Sequence, residues 1–411
     1  MTRWWFHGDF RRLWVGQSVS EFGSQFTVIA MQILMVEHFH ASAAALGVLG
    51  ALRYLPFLFL GAPVGAWADG RSKRQVMIWS DLVRAAILFA VPVLYAAGHL
   101  TVVVLLVVAL ATGTARVFFD VANQAYVGVT IGHDRLVDAN AVLANATNVS
   151  RAVGPGVGGV VVQVVGAPLA LLVDAVSFVV NAVSVARISR DGVVVSPGAS
   201  TFLERLRGGM HHIRTNTTLA RLLISSAVSN VAVMSIQSIF VLVALRDLGF
   251  SPWEIGAAGV FDAVGVVAGA SLAGRLGRRL DDAAVLKAGY AVVVVGTVLI
   301  AVATGPLWCA FAMVSAGYFV WGLGLGLYNV VNMSLRQQLT PQHLMASVMG
   351  SWRTVVFGAL PVGAVLGGVC GELAGGRAGL WVGVAANVLA LVVVAGLATA
   401  PSEVPKEGAR T

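Results

Sequence analysis

The sequence predicts an all-α membrane protein of ~12 transmembrane helices arranged as two pseudo-symmetric six-helix bundles. Three observations predict it. Hydrophobic residues make up 58% of the 411-residue chain and charged residues only 11%, where a soluble domain carries roughly 25% charged residues. Long apolar runs recur between short polar turns. The two halves of the chain also echo each other. A soluble protein of this length could not keep its surface wet with so few charges. The 47 glycines fit the same class, because small residues let helices approach closely in lipid.

A span needs about 20 mostly apolar residues. Segments of that kind run near 13–37, 43–67, 75–97, 100–124, 140–165 and 168–188 in the first half. In the second they run near 220–246, 253–275, 282–304, 307–333, 343–371 and 377–399. An even number places both termini on one side. That side collects Arg3, Arg11, Arg12, Arg71, Lys73, Arg74, Arg135, Arg190, Arg205, Arg207, Arg214, Arg275, Arg278, Arg279, Arg336, Lys406 and Arg410. The other side shows Arg246 and Arg377. Lys and Arg mark the cytoplasmic loops, so both termini are expected in the cytoplasm of a multi-pass membrane protein, and the Ala-, Val-, Gly- and Arg-rich usage points to a bacterial inner membrane. The opening MTRWWFHGDFRRLW is polar and basic, unlike a cleavable signal.

The longest polar interruption, Ser189 to Thr218, divides the chain into a first bundle (1–188), a cytoplasmic linker (189–218) and a second bundle (219–411). Within the linker, Phe202, Leu206, Met210 and Ile213 share one helical face, which predicts an amphipathic helix on the inner membrane surface. The echo between halves is local and specific. TIGHDRLVDANAV with VSRAVGPGVGG parallels QLTPQHLMASVMG with VVFGALPVGAVLGG, setting Pro155 opposite Pro361. The basic turn at Asp69 to Arg74 likewise answers GRLGRRLDD, Gly274 to Asp282.

The net charge of +8 and pI near 10.1 sit in short loops between spans, which favours topology signals and headgroup contact over nucleic acid. Cys309 and Cys370 lie inside apolar runs and make no disulfide or metal framework. No phosphate-binding loop, nucleophile–base spacing or metal-ligand cluster is present, so no cofactor, no metal and no enzymatic activity are expected. The sequons at Asn145, Asn148, Asn216 and Asn332 fall in spans or on the cytoplasmic side.

Two stretches carry more information. GAPVGAWADGRSKRQVMIWSDLVRA, Gly61 to Ala85, puts Asp69, Arg71, Lys73 and Arg74 in one short turn between apolar runs. Topology accounts for the three bases and leaves Asp69 unexplained. SRAVGPGVGGVVV carries Gly154, Pro155, Gly158 and Gly159. Small residues one turn apart allow a close helix crossing, and the proline bends the helix. The small pairs Gly61/Gly65, Gly265/Gly269 and Gly322/Gly326 read as generic tight packing.

On these residues the chain resembles the major facilitator superfamily over nearly its whole length. That family's turn between helices two and three reads roughly G-x-x-x-D-R-x-G-R-R. Here Gly65, Asp69, Lys73 and Arg74 match, Gly70 and Ser72 depart from it, and Arg71 stands one place late. The following SDLVRA, with Asp81 and Arg84, and the G-P-x-x-G-G run after Arg151 look like the branch of enterobactin exporters and related secretion and drug-efflux proteins. The resemblance implies the major facilitator fold, a functional monomer and export by alternating access. It also implies a cytoplasmic latch. Asp69 would meet the start of the eleventh helix near Leu344 to Ser347, where a helix N-terminus stabilises a carboxylate by ~0.3–1 kcal/mol.

Charges inside spans are costly and mark function. They are Glu21, Arg53, Arg116, Asp120, Arg151, Asp174 and Asp262, with Arg353 near a cytoplasmic end. Arg116 and Asp120 are one turn apart and can pair. Asp174 lies near the outer end of its helix, within expected reach of water. Glu21 is the leading proton-coupling candidate: it lies three residues before Ser24, where the resembled branch often places aspartate. Asp262 is the second. Helices 1, 4, 7 and 10 line the cavity in the resembled fold, which makes Gln25, Gln32, Asn230, Gln237, Tyr318, Trp321 and Asn329 substrate-cavity candidates. The expected partners are a small amphipathic substrate, protons and the lipid bilayer. A proton-coupled importer and a non-transporting membrane sensor are the competing readings.

Overall fold

The computed structural model describes residues 8–68, 70–131, 136–189 and 202–397. Asp69, the loop around Arg135 and most of the linker before residue 202 therefore lie outside the described residues, as do Arg3, Lys406 and Arg410. The described residues form thirteen α-helices. The first half holds α1 (Gly8–Ile33), α2 (Ala43–Ala68), α3 (Lys73–Ala96), α4 (Val102–Ile131), α5 (Leu136–Val165) and α6 (Ala167–Ala186). The amphipathic α7 (Phe202–Thr215) follows. The second half holds α8 (Thr217–Arg246), α9 (Pro252–Leu276), α10 (Asp282–Ala301), α11 (Leu307–Gln338), α12 (Met345–Ala374) and α13 (Gly376–Ala395).

Eleven of these helices are long and apolar enough to cross a membrane. The twelfth crossing helix, α5, has the length, at 30 residues. Its polar run through Asn140, Asn145, Asn148 and Arg151 keeps it from the apolar set. Local sequence sets many of the ends. Ser72 caps α3 by accepting from Gln75 N–H at 3.3 Å, Asn216 caps α8 from Leu219 N–H at 3.1 Å, and Asp281 caps α10 from Ala284 N–H at 3.2 Å. At α9, Pro252 takes the first turn while the Glu254 carboxylate accepts from Ser251 N–H at 2.8 Å. The end of α1 tightens into a π-helical turn, Leu34–His38.

The pairing of helices repeats between halves. In the first, α1 packs on α5 and α6, and α3 and α4 pack on each other, with α6 beside α3 and α2 beside α4. In the second, α8 packs on α12 and α13, and α10 on α11, with α13 beside α10 and α9 beside α11. Across the molecule α2 meets α12 and α5 meets α9, again a symmetric pair. Two pseudo-symmetric six-helix bundles are the result, with helices antiparallel to their chain neighbours.

Helix α7 packs on α12 along part of its apolar face: Ile213 is buried, and Gly209 comes so close to Ser347 of α12 that a side chain there would collide. Ser351 Oγ of α12 donates to Leu206 O at 3.0 Å, and His212 Nε2 lies 3.2 Å from Leu339 O. At Met210 and Ile213 the apolar stripe that periodicity reveals is covered by protein. Periodicity alone cannot say what covers it.

Candidate functional site

Helix α1 runs through the middle of the site, touching α4, α5, α6 and α8. Its polar residues reach different neighbours in turn. Gln17 Nε2 donates to Asn123 Oδ1 of α4. One turn on, Glu21 Oε1 takes an ion pair from Arg116 Nη2 of α4 at 3.1 Å. Arg116 Nε also faces Asp120 Oδ2 at 3.7 Å. The expected Arg116–Asp120 pair is present, but the shorter bond of Arg116 goes to Glu21. Sequence spacing found the pair within one helix and missed the partner on another.

These three charged groups keep 24% (Glu21), 24% (Arg116) and 27% (Asp120) of their side-chain surface open.

Asp174 of α6 is not within reach of water. It is 1% exposed, and three hydroxyls satisfy it. Thr27 donates to Oδ2 at 2.5 Å, Ser177 to Oδ1 at 2.9 Å and Ser24 to Oδ1 at 3.4 Å. The position of Asp174 near a helix end signalled exposure; the hydroxyls of α1 that cover it were invisible until α1 and α6 were packed. Beside them, Asp81 and Arg84 of α3 form a buried ion pair at 3.1 Å, and Asn181 Nδ2 donates to Asp81 Oδ2 at 2.7 Å. The Arg84 guanidinium lies 3.6 Å from the Phe178 ring centroid.

The expected latch residues hold the first half together at the α2–α3 turn. Lys73 Nζ is buried and donates to Ala68 O, the last carbonyl of α2. Arg74 Nε donates to Val185 O at 3.2 Å, at the end of α6. Arg71 lies 4.3 Å over the Trp67 ring. Cations on helix C-termini complement the exposed carbonyls and the helix dipole. Gly70 has φ +77°, a conformation that side chains resist, which explains glycine where the resembled turn has arginine. Nothing lies within 4 Å of a side chain built at Gly65.

The fifth-helix motif makes a two-sided junction. Gly154 and Gly158 admit Gln25 and Phe26 of α1, whereas Pro155 and Gly159 pack directly on Gly256 of α9. Two of the small pairs find each other: Gly265 and Gly269 of α9 lie on the backbone of α11, and Gly322 and Gly326 of α11 lie on that of α9. The third, Gly61/Gly65, faces open space. Asp262 sits in the α9–α11 crossing with Oδ1 buried and without a hydrogen-bond partner among the described residues.

The cavity candidates divide. Gln32 Nε2 donates across the halves to Gln237 O at 3.0 Å. Asn230 Nδ2 donates to Val356 O at 2.8 Å. Tyr318 and Trp321 are enclosed, stacked at 5.7 Å with Phe240 5.2 Å from Tyr318. The Gln237 and Asn329 side chains are exposed, and Gln25 packs against Gly154. Composition did not reveal a buried hydroxyl cluster in which Tyr328 meets Ser226 at 2.6 Å and Asn332 at 2.6 Å.

Contacts between halves are not evenly spread. Gln32–Gln237, Arg246 Nη2 to Ala41 O at 3.0 Å, Ala44 N–H to Glu372 Oε2 at 3.2 Å, and the Gly47–Gly368 and Gly159–Gly256 crossings all lie toward the face opposite Gly8. Toward the Gly8 face the last meetings among the described residues are Phe57 with Phe357, at 6.1 Å, and Leu58 with Gly358. Beyond them Gly61, Gly65 and Gly350 have open space. The bundles converge at one face and part at the other.

This is the architecture of a membrane transporter of the major facilitator fold. The chain belongs to the transmembrane secretion effector family of that superfamily, whose model matches residues 5–409. It is 22% identical over 371 residues to macrolide efflux protein A of Streptococcus pyogenes, covering 87% of this chain and 88% of that one. It is 27% identical over 364 residues to the multidrug efflux pump Tap of Mycolicibacterium fortuitum, covering 84% and 85%. Among solved structures, a bacterial homologue of the iron transporter ferroportin in an inward-facing state superposes with TM-score 0.72 at 17% identity, covering 93% of this chain and 97% of that one. The nucleoside transporter NupG superposes with TM-score 0.69 at 15% identity, covering 93% and 97%. Family and relatives are transporters, not enzymes.

Proposed function

We propose that the protein exports a small amphipathic organic compound in exchange for protons, by alternating access between two bundles, 1–188 and 219–411, joined by the linker 189–218. The observation that carries this reading is the Glu21–Arg116–Asp120 cluster, partly open to a space that is shut at one face. The efflux activities named for the two relatives support the direction. Lys and Arg distribution places the Gly8 face in the cytoplasm of a bacterial inner-membrane protein, so the described conformation is open inward. A proton on Glu21 cancels its attraction for Arg116 and frees the guanidinium to swing toward Asp120. Asp262 is the second proton candidate, because its buried oxygen lacks a partner that would hold it ionised. Gln25, Gln32, Asn230, Gln237, Tyr318, Trp321 and Asn329 would supply the few hydrogen-bonding groups among otherwise apolar walls, which suits an amphipathic substrate. The protein works as a monomer in this reading.

The test is survival of a bacterial host stripped of its own efflux pumps, across antibiotics, dyes and siderophores, with pH-driven uptake into everted vesicles as the second readout. Wild-type protein should protect, and Glu21→Gln should lose protection and pH-driven uptake while its thermal denaturation midpoint stays put. Normal pH-driven transport by Glu21→Gln would remove that residue from the mechanism. Accumulation rather than exclusion of the compounds would reverse the direction.

A further inference from the structure

Three arginines in the middle of the fold are left over from the ion pairs just described. Glu21 and Asp120 both engage Arg116. Asp81 takes Arg84 and Asn181, and Asp174 takes Ser24, Thr27 and Ser177. The carboxylates midway along the first-half helices are therefore all committed. Arg53 and Arg151 make no hydrogen bond or ion pair among the described residues, and neither does Arg353 of the second half; Arg53 and Arg353 have only ring contacts, with Tyr54 and Phe357. A guanidinium inside a bilayer ordinarily has a partner.

Each of the three sits one helical turn on the open side of a contact between the halves. Arg53 follows Gly50, which packs on Ser238 of α8 and Ala364 of α12. Arg151 precedes Pro155, which packs on Gly256 of α9. Arg353 precedes Phe357, which meets Phe57 of α2. Residues three or four apart share a helix face, so all three side chains rise from faces that look across the molecule. Arg53 lies about 15 Å along α2 from Ala43 and Arg151 about 21 Å along α5 from Val165, both at mid-membrane depth. Arg53 and Arg151 lie within electrostatic reach of Glu21, and Arg353 of Asp120. With Arg116, four guanidinium groups thus act on two carboxylates.

We propose that Arg53, Arg151 and Arg353 form an anion subsite that receives the carboxylate of an amphipathic organic acid, with the apolar body of that acid against the surrounding walls. A guanidinium presents a planar fork of donors that matches a carboxylate. The subsite rests on the transport reading of this space, and concerns what is carried rather than what drives it. The negative interior of a cell already favours outward movement of an anion.

Purified protein in nanodiscs of neutral phosphatidylcholine would be titrated with cholate, ibuprofen and fusidate, each beside its methyl ester, and with tetraphenylphosphonium, following tryptophan fluorescence. At least one acid should bind ten-fold or more tightly than its ester. Arg53→Gln and Arg151→Gln should each lose that margin while ester binding and the denaturation midpoint hold, and Arg151→Lys should restore part of it. Equal binding of acids and esters, tighter binding of the phosphonium, an undiminished margin in the glutamine variants, or no acid binding at all would overturn the subsite. Competition by anionic phosphatidylglycerol that abolishes the margin at low mole fraction would assign the arginines to a lipid headgroup and also overturn it. Protection of the host by the wild type against neutral and cationic compounds alone would sink the subsite and leave export standing. Acid binding without transport of any compound would do the reverse.

Discussion

At the scale of single residues, the charged groups differ in what their loss should do. Asp81 is fully buried and Arg84 nearly so, and their bond at 3.1 Å joins one turn of α3 to Asn181 of α6. Removing one member of a buried pair leaves an uncompensated charge, at a cost of about 3–5 kcal/mol. Asp81→Ala is therefore expected to lower the denaturation midpoint sharply in detergent, and Asp81→Asn, which keeps hydrogen bonding, to lower it less. Equal small losses would show the pair to be dispensable. Glu21 makes the contrasting case, because its ion pair is partly open and its loss should leave the fold and remove coupling. Glu21 was visible in the sequence as a charge within a span, and Asp81 as part of the SDLVRA stretch. That one is structural and the other faces a cavity depends on which helices enclose them, and spacing along one chain carries no such information.

At the scale of helices, the crossings divide into those inside a bundle and those between bundles. The α9–α11 crossing is internal, and its glycines were legible as small pairs one turn apart. The α5–α9 crossing joins the two halves, as α2–α12 does, and would move in the alternating mechanism proposed. A side chain at Gly256 would meet the backbone of Pro155, and one at Gly159 would meet that of Pro252. Overpacking costs about 1–3 kcal/mol, and the halves can relieve it by parting. Gly256→Leu is thus expected to open the face opposite Gly8, lengthening the distance between spin labels at Gly98 and Gly305 while the denaturation midpoint changes little. An unaltered distance distribution with a lowered midpoint would mean that the crossing is static. The proline and glycines of α5 announced a close crossing in the sequence, but Gly256 had no signal of its own: WEIGAAG is an ordinary small-residue run until its partner is known.

At the scale of the whole molecule, the bundles meet through α2–α12 and α5–α9, and the first pair closes at one end only. There the Glu372 carboxylate at the end of α12 accepts from Ala44 N–H in the first turn of α2, at 3.2 Å. The helices are antiparallel, and at the opposite ends Asp69 follows α2 in sequence while α12 starts at Met345. In the latch we propose, the Asp69 carboxylate would meet the α12 N-terminus as Glu372 meets that of α2, giving two alternative closures of one helix pair. Asp69→Asn should then deplete the population closed at the Gly8 face, seen as loss of the shorter distance between spin labels at Gln75 and Gly350. Retention of both distances in wild-type proportion would count against the latch.

What the sequence by itself determined is the set of local quantities. Apolar length and turn chemistry located the twelve crossing helices to within a few residues at most ends, and repeated motifs identified the two halves. The arginine and lysine asymmetry assigned an orientation, and the Asp69 to Arg74 turn with the α5 glycines pointed to the family. All of these are read along the chain, where hydrophobic transfer and backbone geometry act residue by residue. Only the tertiary structure decided that Arg116 turns to Glu21, that Asp174 is sealed by hydroxyls, that α7 rests on α12, and that Arg53, Arg151 and Arg353 are left without an ion-pair partner among the described residues. A charge in a membrane is governed by what lies across the helix crossing from it, and that neighbour is set by packing among helices far apart in sequence.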